Sequence, residues 1–459
     1  MKLGCQSGPT SEQRLQFFAR HGVKNICGVP ESKDKQLGYP TVEELLQLKE
    51  RAAKWGISID MITPPFLAST HIDRTERPAI LLGQSPERER DIEHFQNLIR
   101  NCAKAGIPAI KYNLSILGVL RTGRTPGRGG AGYSTWRLRD ATPQTPLTRA
   151  GRVTAGLYWE RITYFLEHVI PLANEHKIRL ACHPHDPGVP PVTGYQGVDA
   201  VLGTVDGLKK FISIQESPYH GLNFCQGTVS EMLEDPGKEI FDVIQYFGSR
   251  KKIFNVHFRN IRGKRDDFLE VYPDEGDIDM VKAMLAYRKV EYPYMMMPDH
   301  VPYHAGDPGG SQAFAFAYGI SAPCSRRWIN RSSRRKEAHF QKRKNRASLR
   351  RLLQFLGCAL TQSTRQFLRS SAARCRGCNT PSQKLPDETL QTNPAIGRPA
   401  VMVSIKLLGN PSVTRTWSTS RSVCMIVAIK SGIVTASEAG SPPSFVDWPI
   451  TWPILRPPP

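Results

Sequence analysis

The sequence predicts an α/β chain whose residues 1–320 form a (β/α)8 TIM barrel, with an incomplete eighth helix followed by a basic tail. Two observations lead there. Between Ile178 and His300, four short apolar runs each end on a residue able to bind a metal: IRLACH at His183, GLNFC at Cys225, IFNVH at His257 and YMMMPD at Asp299. The intervals each hold one amphipathic helical pattern, so strand, loop and helix repeat with the polar residue at the strand's carboxyl end. The second observation is size, because eight such units in about 320 residues suit a barrel with insertions. In a parallel barrel the carboxyl ends of the strands share the face where substrates bind, so the four residues should converge.

In order, KLGCQ reads as the first strand and Ser11 to His21 as a helix with Leu15, Phe18 and Ala19 on one face. KNICGVP is the second strand. Thr41 is a helix N-cap, with Glu44 completing capping-box spacing, and that helix runs to about Trp55. ISIDMITPP is the third strand. Ile92, Phe95, Leu98, Ile99 and Cys102 mark an amphipathic helix, and AGIPAIKYN follows as the fourth strand. A fourth helix is expected over Leu157 to His176, a fifth over Val198 to Phe211, a sixth over Lys238 to Phe247 and a seventh over Ile278 to Val290. The fifth strand begins at Ile178, and the last three end at Cys225, His257 and Asp299.

Residues 114–155, rich in Gly, Arg and Thr, show neither period and read as a long loop over the strand ends. No GK[ST] follows them and no helix opens directly on them, so a phosphate cradle is disfavoured. The eighth helix starts near Ser311, but SAPCSRRW places Pro323 and two arginines where a buried face is required. Residues 321–459 are therefore expected to be a disordered or out-of-frame tail that contributes no catalytic group. Their Cys375 and Cys378 form a CxxC without a second pair at zinc spacing.

The net charge of +21 points first to a polyanionic partner. Residues 321–459, however, hold 23 Lys and Arg against 5 Asp and Glu, which leaves the barrel segment close to neutral and argues against a nucleic-acid face there. No secretory signal precedes the first strand and no apolar run is long enough to span a bilayer. The cysteines are scattered, so the chain reads as a cytoplasmic protein with reduced thiols and no membrane partner. A homo-oligomer stays compatible with all of this.

Two imidazoles, a thiolate and a carboxylate suit a first-row divalent ion better than Mg2+. Taken singly, each has a plainer reading: a hydrogen-bonded histidine, a buried packing cysteine, a capping aspartate. At equivalent points of four units they read as one metal site. His185 and Asp186 in HPHDP, Arg259 and Asn260 in HFRN, and His300 after Asp299 add polar neighbours.

At these residues the sequence resembles mannonate dehydratase. The resemblance rests on HPHDP (183–187), NFCQGT (223–228), NVHFRNIRG (255–263), PDHVP (298–302) and KYN (111–113), and covers about residues 1–320. It implies a xylose-isomerase-like barrel and Mn2+- or Fe2+-dependent dehydration of D-mannonate to 2-keto-3-deoxy-D-gluconate, a step of hexuronate (glucuronate) breakdown. Carried over by motif, His183, Cys225, His257 and Asp299 are the metal ligands and His300 is the catalytic acid/base. Asn113, His185 and Asp186 are expected to contact substrate. The usual HPDDP-type motif has His185 at its third position, and Tyr303 and Tyr318 are the candidates for the catalytic tyrosine that the resemblance implies after the eighth strand, with Tyr303 taken as that residue.

Elementary chemistry agrees with that reading. Proton removal alpha to a carboxylate builds charge that a divalent ion stabilises. A base takes the C2 proton, an acid protonates the departing C3 hydroxyl, and His300 suits either role. Arg259 is expected to hold the substrate carboxylate by paired hydrogen bonds. The same barrel also serves metal-dependent sugar isomerases and epimerases, since fold alone does not choose the reaction.

Overall fold

The computed structural model describes residues 1–321, except 7–9, 32–33, 35–36, 143–145 and 192, together with residues 427–429 and 432–434. In chain order its elements begin β1 (Lys2–Gln6), α1 (Glu12–Arg20), β2 (Asn25–Gly28), α2 (Val42–Ala53), β3 (Ser58–Ile62), α3 (Ala79–Leu82), α4 (Glu87–Ala105) and β4 (Ala109–Asn113). They continue with β5 (Gly123–Pro126), β6 (Gly132–Arg137), α5 (Ala155–His176), β7 (Arg179–His183), α6 (Val205–Ser213), β8 (His220–Cys225), α7 (Gln226–Ser230) and α8 (Pro236–Ser249). Then come β9 (Ile253–His257), β10 (Ile261–Lys264), β11 (Asp267–Glu270), α9 (Met280–Lys289) and β12 (Met295–Met297), and residues 311–321 are helical.

Eight strands close a parallel barrel in the order β1-β12-β9-β8-β7-β4-β3-β2. The lumen is plugged by Cys27, Met61, Ala109, Ala181, Phe254, Met295 and Met297. A larger apolar layer lies between strands and helices, and the predicted inward residues Leu15, Phe95, Phe165 and Ile244 are all in it. The capping box at Thr41 is formed: Glu44 N–H donates to the Thr41 hydroxyl at 3.2 Å, and Thr41 N–H to Glu44 Oε2 at 2.8 Å.

Three expectations need correction. Residues 114–155 contain more than a loop: β5 and β6 pair with each other, and β6 pairs with β11, giving a four-stranded antiparallel sheet in the order β10-β11-β6-β5. Its two hairpins follow β4 and β9, so it rises from the carboxyl face of the barrel. The fifth helix starts at Val205 instead of Val198, because Thr204 caps it and residue 198 bridges to Val153 and Tyr195. The last barrel strand ends at Met297, leaving Asp299 on the loop beyond it.

The final helix begins where expected, and Tyr318 is the residue that seats it. The ring is 1% exposed, packs against Phe17 and His21, and its hydroxyl lies 2.7 Å from Cys5 Sγ on β1. The expected break in this helix beyond Ser321, and the tail with its CxxC, lie outside the described residues. The chain divides into compact units Met1–Gln362 and Ser363–Pro459; in the second, Val427–Ile429 pairs antiparallel with Gly432–Val434. Among the described residues no helix is long and apolar enough to cross a membrane, and the five cysteines are free and buried.

Candidate metal centre and active site

The four strand-end residues meet. His183, Cys225 and His257 are the last residues of β7, β8 and β9, and Asp299 follows β12. One donor atom from each lies within 4.8 Å of the other three. The neighbouring groups prepare each donor. His183 Nδ1 is 2.7 Å from the Pro184 carbonyl, which fixes the tautomer and leaves Nε2 bare. Burial alone would raise the Cys225 thiol, but the Arg259 guanidinium and the His257 ring together outweigh it and lower the pKa toward thiolate. The Thr228 N–H at 3.4 Å and its hydroxyl at 3.1 Å also point at that sulfur.

His257 Nδ1 is buried without a hydrogen-bond partner and faces Asp299 Oδ1 at 3.2 Å. Burial opposes ionisation of Asp299, yet His257, His300 and Arg259 together hold it well below the usual carboxylate range. An orphaned imidazole nitrogen, a thiolate-leaning sulfur and an ionised carboxylate turned toward one point form an arrangement that a shared cation satisfies. The donor set fits a first-row divalent ion.

A second group stands beside the first: Asp186, Glu270 and His300, again with donor atoms within 4.8 Å. This one is already neutralised from within the chain. Arg259 Nη1 donates to Glu231 Oε1 at 2.8 Å and to Glu270 Oε1 at 2.5 Å, and Nη2 to Asp186 Oδ2 at 3.2 Å. Arg121, from the segment after β4, pairs with Asp186 Oδ1 at 2.7 Å and also with Glu270. Gly227 has no side chain because Arg259 runs past it: a Cβ there would stand 2.6 Å from Arg259 Nε.

His300 Nδ1 lies 2.8 Å from Glu270 Oε1 and Nε2 lies 3.8 Å from Asp299 Oδ2. Burial would lower this imidazole, but the two carboxylates overcome it and push the pKa to about 10. Glu231, wholly buried, is raised well above the usual carboxylate range by burial and by the Asp186 charge.

The other expected site residues fall in different places. Asn113 ends β4 in register with His183, next to the ligand cluster. His185 points elsewhere, stacking on Tyr158 with Nε2 3.0 Å from the Leu114 carbonyl, and burial holds it near pKa 4. Tyr303 bridges through its backbone to Gly132 of β6, is 42% exposed, and lies under Arg124. Tyr318 is buried in the helix-strand layer. Arg121, Glu231 and Glu270 escaped the sequence reading, since each lies outside the strand-end pattern and gains a role only through partners distant in sequence.

Residues 136–322 match the family model described as D-mannonate dehydratase (UxuA). The mannonate dehydratase of Thermotoga petrophila is 28% identical over 294 residues, covering 56% of this chain and 77% of the relative. Over its barrel segment the chain is similar to mannonate dehydratases. Mannonate dehydratase 2 of Halalkalibacterium halodurans is 25% identical over 324 residues, covering 64% of this chain and 88% of that one. In fold, the chain is similar to the crystal structure of mannonate dehydratase from Streptococcus suis serotype 2, with a TM-score of 0.60 at 22% identity over 71% of this chain and 93% of that chain. The His185 ring, on Tyr158 and the Leu114 carbonyl, is turned away from the four-residue cluster.

Proposed function

We propose that the chain dehydrates D-mannonate to 2-keto-3-deoxy-D-gluconate, using Mn2+ or Fe2+ held by His183, Cys225, His257 and Asp299. The convergence of these four donors within 4.8 Å, at the mouth of a family barrel, is the observation that carries the reading. When bound, the ion supplies Lewis-acid stabilisation of charge that builds on the substrate's carboxylate side.

The chain's own groups do the rest. His300 holds or moves a proton at C2 or C3; its Nδ1 is tied to Glu270, which leaves Nε2 on the Asp299 side. Arg259 takes a different part from the one expected of it. With its guanidinium occupied by Glu231, Glu270 and Asp186, it orients these carboxylates and lowers the Cys225 thiol, and it does not clamp the substrate. Asp186 belongs to that framework and His185 braces the loop below it. Asn113 keeps its role as a substrate contact, and Tyr303, exposed and bridged through its backbone to Gly132 of the sheet, keeps its role as the catalytic tyrosine. Residues 1–320 are the catalytic unit and the tail supplies no catalytic group. The reaction serves hexuronate breakdown in the cytoplasm.

Elemental analysis of the purified protein, combined with detection of a 2-keto acid formed from D-mannonate, tests the proposal. Stoichiometric divalent metal and keto-acid release are expected. A metal-loaded protein that leaves mannonate intact and interconverts neutral sugars would overturn it in favour of an isomerase.

A further inference from the structure

Lys111 is an interior lysine with little around it to neutralise its charge. β4 turns Ala109, Lys111 and Asn113 toward the lumen: Ala109 is part of the luminal plug, and Asn113 is in register with the ligand His183. Lys111 therefore stands one step below the ligands, on the strand beside β7. It is 7% exposed, and its ammonium donates to Gln6 Oε1 at 2.9 Å. Gln6 ends β1, and β2 and β3 separate β1 from β4 in the barrel, so this bond crosses the lumen. No carboxylate among the described residues forms an ion pair with Lys111.

An ammonium has three donors, and one neutral amide uses one of them. A desolvated cation without a counter-charge is costly. An anion arriving from outside would remove that cost. The other cations near the cluster already face carboxylates: Arg259 and Arg121 each face Asp186 and Glu270, and His300 faces Glu270 and Asp299. The ligands come from β7, β8, β9 and the loop after β12, one half of the ring, while Lys111 and Gln6 belong to the other half. A small molecule in the mouth lies between a cluster built for a metal and an ammonium in want of an anion.

We propose that the Lys111 ammonium, steered by Gln6, is the seat for the substrate's carboxylate and selects sugar acids over neutral sugars. This rests on the reading above only for which acid is turned over. One carboxylate oxygen faces Lys111 and the other the ligand cluster. As the C2 proton leaves, charge moves onto both oxygens, and a fixed ammonium in a water-poor lumen stabilises it without reorganisation.

The test compares binding of D-gluconate and D-mannitol, which share a hydroxyl chain and differ in the carboxylate, by calorimetry on purified metal-containing protein. The parent is expected to prefer gluconate. Lys111→Met should weaken gluconate binding about 10- to 100-fold, the loss expected for one charge-assisted hydrogen bond, and leave mannitol binding and metal content at parental values. Its ligand-free melting temperature should equal or exceed the parent's, because an unpaired buried charge has been removed. A lysine of purely structural use would give a lower melting temperature instead. Lys111→Gln provides the same reading should the Met variant aggregate. Unchanged gluconate affinity, or loss of metal from both variants, overturns the proposal. A parent that binds acids through Lys111 but does not dehydrate mannonate would leave this seat standing and overturn only the assigned reaction.

Discussion

His300 Nδ1 lies 2.8 Å from Glu270 Oε1, so a residue of the loop after the last barrel strand is oriented by the final residue of β11 in the sheet over the mouth. The proposed acid/base group thus depends on a carboxylate that the barrel itself does not supply. His300→Asn should lower kcat by about 10²- to 10⁴-fold with bound metal unchanged. Glu270→Gln should lower it less. Parental turnover in His300→Asn would remove His300 from the chemistry.

Cys225→Ser and His257→Ala should each lose bound metal and activity while keeping their circular dichroism and most of their stability, since both residues lie at strand ends facing the mouth. Metal content equal to the parent's in both would refute the ligand assignment.

Arg259→Met removes the one charge that, among the described residues, pairs with Glu231, Glu270, Asp186 and Asp299 at once. Stripping the partner from buried carboxylates costs about 3–5 kcal/mol, and urea unfolding should show a loss of that size. If stability stayed parental and only KM for mannonate rose, the carboxylate-clamp role would be restored.

His220 offers a test away from the active site. Its Nε2 lies 2.9 Å from the Phe211 carbonyl, and burial holds it at about 4, below the ordinary 6.5. Between those two values the unfolded chain takes up a proton that the folded chain refuses, so stability falls as pH falls. The contribution approaches about 3 kcal/mol near pH 4 and vanishes above the ordinary value. His185, also held near 4 by burial, adds in the same direction. His220→Gln should flatten the pH dependence of the urea midpoint between pH 7 and 4, whereas an unaltered slope would assign the effect to other groups.

Tyr318→Ala should cost about 3–5 kcal/mol, as for a large buried aromatic, and lower the melting temperature. If the variant melted with the parent, the helix over 311–321 would not be what closes the barrel between β1 and its neighbour.

Much of this was legible in the sequence, for identifiable reasons. A strand of five or six residues ending in His or Cys announces both its direction and what it delivers, so the convergence of His183, Cys225 and His257 is legible from the residues alone. Asp299 was found although its strand is shorter than it looked, since the loop PDH holds the same position as a strand end would. The sheet over the mouth was hidden because its strands are four to six residues long, because β5 and β6 open on glycines, and because β6 pairs with β11 from another part of the chain. The partners of Arg259 within the chain were hidden, since nothing local shows that Glu231 and Glu270 fold onto it. Lys111, within KYN, carries no local signal of its place, as a lysine in an apolar run reads as the edge of a strand unless the opposite wall of the lumen is known.

The ligands and the luminal lysine occupy separate arcs of one ring, and this makes the barrel divisible by inheritance. The arc proposed to hold the metal is encoded from β7 onward and the arc facing it by β1 to β4, with the long excursion after Asn113 between them. A crossover in that excursion would join two parents at a point where no barrel strand is cut. A chimera made there should carry the metal affinity of its downstream parent and the choice of sugar of its upstream parent, so that new substrates could be recruited by exchange of one half without rebuilding the other.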